Sequence, residues 1–167
     1  MGEELEKPYA YYNELGLPDE SGKLEGGASV WLIKRENDKV YVLFQKRSQL
    51  VHNAGYYDSS AGGHIDEGED PLAAAIRETK EEIGLTLTEK ELKFVCTYAT
   101  DKKLIYVYLS DRTGKTDELT LSPDEVESVE WVPLEEFDFF VRARVKPPLR
   151  ELVPHLPVLR YHIENYL

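Results

Sequence analysis

The chain has 167 residues, of which 41% are hydrophobic, enough to bury one substantial core but not two. Its 32 acidic and 20 basic residues give a formal net charge of −12, which repels nucleic-acid backbones and anionic lipid surfaces. We therefore expect one domain over residues 1–167, with neither nucleic acid nor a membrane as a partner. A phosphate-bearing ligand would need locally placed cations, and a metal ion is their simplest source.

The cysteine content and the N-terminal sequence bear on the compartment. Cys96 is the only cysteine, so no intrachain disulfide can form and a reducing setting is natural. The N-terminus is acidic and lacks the apolar run of a signal peptide. No stretch approaches the roughly 18 apolar residues of a membrane span. These features predict a cytoplasmic protein.

The first third of the chain predicts an arm, a hairpin and a loop. Residues 1–27 are polar and carry turn signals, so we expect them to lie over the domain as an N-terminal arm. β-Branched and aromatic residues over 28–33 and 40–45, separated by the turn residues 36–38, predict a β-hairpin. Residues 48–63 are rich in Gly, Asn and Ser and predict a loop.

The best-marked element is a helix over residues 71–83. Asp70 can cap it, Pro71 suits its first turn and Gly84 can end it. Residues at i, i+4, i+7 and i+11 form one stripe that can pack on a sheet. These residues are Leu72, Ile76, Thr79 and Ile83.

Downstream of this helix the pattern predicts further strands and short helices. Strands are predicted over 92–100, 104–110 and 126–132, and residues 133–137 are predicted to open a short helix. The tail, residues 149–167, has helical spacing interrupted by prolines. The predicted fold class is mixed α/β, a sheet with helices on both faces.

Three acidic residues of the predicted helix lie away from its apolar stripe. Glu78, Glu81 and Glu82 fall at i, i+3 and i+4 and share one face. Carboxylates about 5.5 Å apart repel each other by roughly 3 kcal/mol per pair at an effective dielectric near 20. Such a cluster needs either full solvation, as on many exposed helix faces, or a compensating cation.

The residues from Gly63 to Leu85 carry a longer pattern, GHIDEGEDPLAAAIRETKEEIGL. It resembles the Nudix box, in which fixed glycines, glutamates and one arginine stand in register. The matching positions are Gly63, Glu69, Arg77, Glu78, Glu81, Glu82, Gly84 and Leu85. The departure is Thr79, where an aliphatic residue is usual; because Thr79 lies in the packing stripe, it should affect helix docking more than metal chemistry.

The resemblance extends over most of residues 28–140 and implies the Nudix fold, an α/β/α sandwich with a mixed central sheet. It also implies Mg²⁺-dependent hydrolysis of a diphosphate linkage in a small-molecule substrate, with Mn²⁺ as a substitute. By matching positions, Glu78, Glu81 and Glu82 would bind the metal through their carboxylates and Gly63 through its carbonyl. Such oxygen donors suit Mg²⁺.

Two further residues of the box are implied to have structural roles. Glu69 and Arg77 would mainly hold the loop and the helix together. Arg77 can also pair with Glu81 at i+4 in a purely structural way.

A general base is expected on the box helix or on a later loop. The loop candidate is Glu125, six residues before Trp131, a spacing similar to that of an extra metal-binding glutamate in MutT-like members. The alternative is that Glu125 is one more charge in an acidic loop.

Candidates for binding the substrate lie outside the helix. Arg47 ends the second predicted strand and could bind a phosphate in bidentate fashion, although a basic residue there is often an ordinary surface charge. His64 directly follows Gly63 and could face the phosphates. Tyr57 could stack on a base, although tyrosines in β-rich domains usually pack in the core or on the surface.

Two other functions remain open. Residues 44–68 and the polar arm also resemble the branch related to isopentenyl diphosphate isomerase. Members of that branch use a cysteine shortly after the second strand and carry a degraded box, whereas this chain has no cysteine there and its box is nearly complete. A non-catalytic sensor of a nucleotide-like metabolite would not need every metal ligand. Hydrolysis is therefore preferred.

The apolar residues of the tail suggest an assembly. Residues 149–167 could pack against a second copy of the chain to form a homodimer. Pro154 and Pro157 are expected to break or kink the helix there.

Overall fold

The computed structural model describes residues 10–13, 16–19, 24–112, 118–147 and 156–166. Within them lies a mixed sheet with helices on both faces, which confirms the predicted fold class.

The predicted hairpin is present, with longer strands than expected. Strand β2 spans Leu24–Glu36 and β3 spans Lys39–Arg47, and the two pair in antiparallel fashion. Asn37 and Asp38 join them with φ of 52° and 63°. Two successive positive φ angles suit a tight hairpin turn, and Asn and Asp tolerate them better than most residues.

Six further strands complete the sheet around β2. They are β1 (Tyr11–Tyr12), β4 (Tyr57–Asp58), β5 (Ala61–His64), β6 (Lys93–Ala99), β7 (Lys103–Ser110) and β8 (Val126–Pro133). β2 pairs antiparallel with β1, β3 and β5 and parallel with β7, while β3 pairs with β4 and β8. Because β2 is 13 residues long, it pairs with β3 through residues 33–36 and with β1, β5 and β7 through residues 24–32.

Two predictions about irregular segments were wrong in part. The predicted loop over 48–63 contains β4 and the start of β5, because Tyr57 and Ala61 are buried and pair with sheet strands. The predicted arm, 1–27, contributes β1 and the first residues of β2 to the sheet.

The helix predicted over 71–83 is confirmed at both ends. Helix α1 spans Pro71–Ile83, and the side chain of Asp70 accepts a hydrogen bond from the amide of Ala73 at 2.8 Å. Gly84 has φ of 72°, the left-handed conformation that ends many helices. The local sequence therefore sets where this helix begins and ends.

Two short helices follow the last strand. A 3₁₀ turn over Leu134–Glu136 leads into α2 (Phe137–Arg144), so the prediction that residues 133–137 open a short helix is confirmed. Helix α3 spans Leu156–Glu164, and Pro157 sits in its first turn, where proline is tolerated. Residues 148–155, which include Pro154, lie outside the described residues, so the predicted break or kink of the tail stays a prediction.

Alternate side chains of β2 enter two different core layers. Val30 and Leu32 pack with Ala74 and Ile83 of α1, whereas Trp31 packs in the cluster that contains residues of α2 and α3. Because a strand projects successive side chains to opposite faces, this alternation places helices on both sides of the sheet. The α/β/α arrangement is therefore confirmed.

Helix α3 uses its apolar stripe within the chain. Leu156, Leu159 and Ile163 are at most 6% exposed and belong to the core cluster that contains Trp31. The part of the apolar tail that the structure describes, residues 156–166, thus turns its stripe to the core, and dimerisation stays a prediction. No helix among the described residues has the length and apolar character needed to cross a membrane.

Candidate functional site

A cavity of about 340 Å³ lies beside the predicted acidic face of α1. Residues of the sheet centre, of α1 and of the segment after α2 line it. Of the predicted site residues, six line the cavity: Arg47, Gly63, His64, Glu78, Glu82 and Glu125.

Glu78 lies directly against the backbone of Gly63. A Cβ atom added at Gly63 would collide with the carboxyl group of Glu78. The Glu78 side chain is 13% exposed, and its Oε1 accepts a hydrogen bond from Arg77 at 2.9 Å. Glycine at this position therefore brings the carboxylate and β5 into contact.

Glu82 is anchored more deeply, one turn further along α1. Its Oε1 accepts hydrogen bonds from the amide of Gly62 at 2.8 Å and from the side-chain amide of Gln45 at 3.1 Å. Gln45 is 3% exposed and also donates to the carbonyl of Ser60. Two fixed donors thus set the position of the Glu82 carboxylate.

Burial and mutual repulsion raise the pKa values of Glu78 and Glu82. Burial raises the pKa of Glu78 to about 7, with repulsion from Glu81 and Glu125 adding to the effect and Arg77 opposing it. Burial also raises the pKa of Glu82 to about 8, with Glu78, Asp58 and Glu125 adding to the effect and the Gly62 amide opposing it. These carboxylates need either a proton or a nearby cation at neutral pH.

Glu81 lies apart from the other two glutamates. Its side chain is 54% exposed and pairs with Arg77 at 3.2 Å, and it does not line the cavity. The structure therefore brings together Glu78 and Glu82 of the predicted trio, but not Glu81.

Arg77 connects the loop that follows β5 to α1. It makes two hydrogen bonds to the carboxylate of Glu69, at 2.9 and 3.0 Å, and donates to the carbonyl of His64 at 2.9 Å. The hydrogen bond from Arg77 holds the pKa of Glu69 below its usual range. These contacts are those that a structural role for Glu69 and Arg77 requires.

Glu125 reaches the cavity from the turn before β8. Its backbone carbonyl accepts a hydrogen bond from the amide of Ser48, which joins this turn to the end of β3. Its side chain lines the cavity and acts on the pKa values of both Glu78 and Glu82. A residue distant in sequence thus joins the acidic side of the cavity.

Arg47 belongs to a small cluster of charges on the cavity wall. Its guanidinium group pairs with Oδ2 of Asp58 at 3.0 Å, and Lys146 pairs with the same oxygen at 2.6 Å. Its Nε also donates to the carbonyl of His52 at 2.6 Å. The predicted phosphate-binding arginine therefore lies in the cavity, with its orientation fixed by two partners.

His64 and Lys103 occupy another part of the cavity lining. The His64 imidazole lies 3.7 Å from the carboxylate of Glu25. Burial lowers the pKa of His64, Lys103 lowers it further, and Glu25 opposes both effects. His64 is therefore largely neutral at pH 7 and can act as a hydrogen-bonding group.

Tyr57 lies in the core outside the cavity. It is 7% exposed, and its ring packs edge-on against Phe140 at 5.0 Å between centroids. Another tyrosine, Tyr98 of β6, lines the cavity instead. The role of Tyr57 in binding stays a prediction that this position does not favour.

Sequence patterns missed several residues that line the cavity. Gln45, Asp58, Lys103 and Lys146 come from four separate segments of the chain, and none belongs to a motif with fixed spacing. Gln45 carried one signal, an amide in an otherwise apolar strand, which points to a buried hydrogen-bonding partner.

The oxygen donors at the cavity suit a divalent cation. Glu78 and Glu82 are partly buried carboxylates that repel each other, and Glu125 adds a third charge. Within the described part of the chain, no three His, Cys, Asp or Glu side chains are already arranged around one metal position. Glu81 faces Arg77 instead, so a trio would require this side chain to turn. The donor chemistry fits Mg²⁺, and the complete ligand set stays a prediction.

The chain is similar to known proteins in sequence and in fold. A family model described as the NUDIX domain matches residues 23–156. An uncharacterised Nudix hydrolase of Clostridium acetobutylicum is 29% identical over 124 residues, 69% of this chain and 60% of that protein. The chain therefore spans less than two thirds of this relative's length.

A further relative is named for its activity, and a solved structure supports the fold. A mouse protein named bis(5'-nucleosyl)-tetraphosphatase (asymmetrical) is 32% identical over 111 residues, 62% of this chain and 71% of that protein. A crystal structure from Deinococcus radiodurans has a TM-score of 0.68 at 19% identity and covers 88% of this chain and 97% of its own.

Proposed function

Since the chain belongs to the Nudix family, to which residues 23–156 match, we propose that it is a divalent-metal-dependent hydrolase. The proposed substrate is a nucleoside diphosphate linked to another group, or a similar small molecule, and the cleaved bond is a diphosphate linkage. We propose that one domain carries this activity, since both core layers share strand β2.

One observation carries the proposal. Glu78 and Glu82 lie on one wall of a cavity, largely removed from water, with pKa values raised to about 7 and about 8. Desolvating two like charges costs free energy that a purely structural helix face would avoid. A bound cation would offset that cost and draw a diphosphate into an otherwise acidic chain.

Mg²⁺, or Mn²⁺ in its place, would be held by the carboxylates of Glu78 and Glu82 and the carbonyl of Gly63. Glu81 would join them after leaving Arg77, which retains Glu69 and the carbonyl of His64 as partners. A divalent ion at this position supplies charge neutralisation at the phosphate oxygens.

The remaining chemistry falls to side chains of the cavity. Glu125 would accept a proton from the attacking water on its carboxylate oxygen, since it lines the cavity beside Glu78 and Glu82. Arg47 would bind a phosphate oxygen, and His64 would donate or accept a hydrogen bond as a neutral imidazole. Positioning and charge stabilisation would then supply most of the rate enhancement.

The isomerase-like alternative has less support. Cys96 lies on β6, is packed against the core layer that contains Trp31, and is absent from the cavity lining. Ser59 lines the cavity where that branch would need a thiol. Proton transfer at an allylic carbon would therefore lack the expected sulfur group.

A substrate panel tests hydrolysis against the sensor alternative. The protein would be incubated with dinucleoside polyphosphates, nucleoside diphosphate sugars and nucleoside triphosphates, with Mg²⁺, Mn²⁺ or EDTA, and the products separated by chromatography. We expect cleavage of at least one class with either metal and none in EDTA. If no member of the panel is cleaved with either ion, the hydrolase proposal is wrong and a binding role is favoured.

A further inference from the structure

The chain segment after α2 returns to the sheet and ends beside the cavity. The amide of Lys146 donates to the carbonyl of Tyr57 at 2.9 Å, and Val145 bridges Tyr57 in parallel orientation. Val145 is fully buried. Backbone pairing and burial of its neighbour therefore fix the position of Lys146 along β4.

The Lys146 side chain binds the carboxylate of Asp58, which also binds Arg47. Its ammonium group lies 2.6 Å from Oδ2 of Asp58, and Arg47 lies 3.0 Å from the same oxygen. The other oxygen, Oδ1, accepts a hydrogen bond from the amide of Ser59 at 2.7 Å. Two cations share one carboxylate, so the cluster carries an excess positive charge in a chain whose formal net charge is −12.

All three members of this cluster line the same cavity as Glu78 and Glu82. Asp58 occupies one of the three N–H donors of a lysine ammonium group, which leaves the others able to bind a ligand. The side chains of Lys146 and Arg47 are 25% and 22% exposed, so both remain accessible from the cavity. An anion entering the cavity would therefore meet two positioned cations.

We propose that Lys146 is a substrate-binding residue that, together with Arg47, binds the phosphate oxygens of the diphosphate. This inference rests on the function proposed above. Asp58 is a positioning residue, because it holds two mutually repelling cations side by side before the substrate arrives. The cluster offsets the repulsion that Glu78 and Glu82 exert on an approaching phosphate.

A purely structural role for Lys146 would be to attach the segment after α2 to β4 through Asp58. The backbone hydrogen bond to Tyr57 and the burial of Val145 already serve that attachment. The two roles differ in one measurable respect, since only a binding residue changes the affinity for a diphosphate in the absence of metal.

Calorimetric titration of the metal-free protein with ADP, in EDTA at low ionic strength, measures that affinity directly. Lys146→Met removes the charge and keeps most of the aliphatic stem, and Lys146→Arg retains the charge. Lys46→Met is the matched control, because Lys46 pairs with Glu127 at 2.8 Å and does not line the cavity. Thermal unfolding establishes that each variant is folded.

We expect Lys146→Met to weaken ADP binding about tenfold, the loss typical of one hydrogen bond to a charged group. Lys146→Arg should restore most of the affinity, and Lys46→Met should bind ADP as the wild type does. Equal affinity of the wild type and Lys146→Met, or no ADP binding by the wild type, would overturn the inference.

A second measurement uses the wild-type protein alone, in case Lys146→Met does not fold. Acetylation of lysines, followed by mass spectrometry with and without ADP, should show protection of Lys146 and none of Lys46. Unchanged labelling of Lys146 at saturating ADP contradicts the proposal. Failure of the hydrolase function would be seen separately, as ADP binding that depends on Lys146 without cleavage of any substrate in Mg²⁺ or Mn²⁺.

Discussion

The two charged walls of the cavity are held in different ways. On the acidic wall, Glu82 accepts hydrogen bonds from a backbone amide and a buried glutamine, and Glu78 packs on the backbone of Gly63. On the basic wall, Arg47 and Lys146 are held mainly through one shared carboxylate and are more exposed than Glu78. Desolvation is therefore concentrated on the acidic wall, and the largest effects of substitution are expected there.

Removing one charge from the acidic wall should have the largest effect. Glu82→Gln keeps an oxygen that can accept from the Gly62 amide but loses the negative charge that a divalent cation needs. We expect kcat to fall about 100-fold or more, since loss of outer partners of a metal site alone costs 10 to 100-fold. Steady-state kinetics on the best substrate of the panel, across a range of Mg²⁺ concentrations, would measure this loss.

The control for that experiment is a glutamate outside the cavity. Glu135 is exposed, pairs with Lys39 at 3.7 Å and does not line the cavity, so Glu135→Gln should leave kcat unchanged. A Glu82→Gln variant as active as Glu135→Gln would show that the acidic wall has no part in catalysis.

Disturbing the contact between β5 and α1 is expected to have the next largest effect. In Gly63→Ala the added methyl group would collide with the carboxyl group of Glu78, so that side chain must turn away or one of the two elements must move. We expect a loss of about 1–3 kcal/mol in the free energy of unfolding, as for other overpacked sites, together with reduced activity. Urea denaturation of the purified variant would measure the loss of stability.

A double variant identifies the collision partner. Glu78→Ala removes the carboxyl group that the new methyl group meets, so adding it to Gly63→Ala should recover most of the lost stability. Additive losses in the double variant would mean that the methyl group is resisted by something other than Glu78.

The difference between the walls also explains how far the sequence could predict the molecule. The acidic wall lies almost entirely on one helix with its own cap and terminator, so local spacing placed Glu78 and Glu82 on one face before the structure was known. Spacing showed that Glu81 can pair with Arg77 at i+4, as it does in the structure. Spacing could not show that Glu81 lies outside the cavity, because that depends on where β5 and the loop after it lie.

The basic wall is assembled from residues that are far apart in the chain. Arg47 was predicted from its position at a strand end, but Asp58 and Lys146 join it only through pairing of β4 with β3 and with the segment after α2. Tyr57 was a candidate for stacking on a base, and no local pattern indicated that it packs against Phe140 of another helix. Contacts of this kind depend on tertiary structure and leave no local pattern.

A smaller effect should appear in the pH dependence of stability without metal. Glu78 and Glu82 have pKa values raised to about 7 and about 8 in the folded state, from an ordinary value of 4.5. From about pH 4.5 up to about 7 or 8, the folded state therefore binds more protons than the unfolded state. Stability falls over this range as the pH rises through the folded-state pKa values. In EDTA, the melting temperature should be highest near pH 5 and decline toward pH 8.5.

Two further measurements test whether titration of the acidic wall causes this fall in melting temperature. Glu82→Gln should flatten the curve because residue 82 no longer titrates, and Mg²⁺ should raise the melting temperature most at the alkaline end, where both carboxylates are charged. A melting temperature that rises steadily from pH 5 to 8.5 in EDTA would contradict the raised pKa values of Glu78 and Glu82.

The smallest effect is expected at Thr79, which departs from the aliphatic residue usual in the box. Its side chain is fully buried, and its hydroxyl donates to the carbonyl of Ala75 one turn earlier, so the polar group is satisfied within α1. Thr79→Val replaces that hydroxyl with a methyl group on the face away from the cavity. We expect a change below about 1 kcal/mol in the free energy of unfolding and an unchanged kcat, measured by urea denaturation and steady-state kinetics. A large loss of kcat at constant stability would mean that the inner face of α1 tunes the glutamates, and that the acidic wall is less local than its sequence pattern indicates.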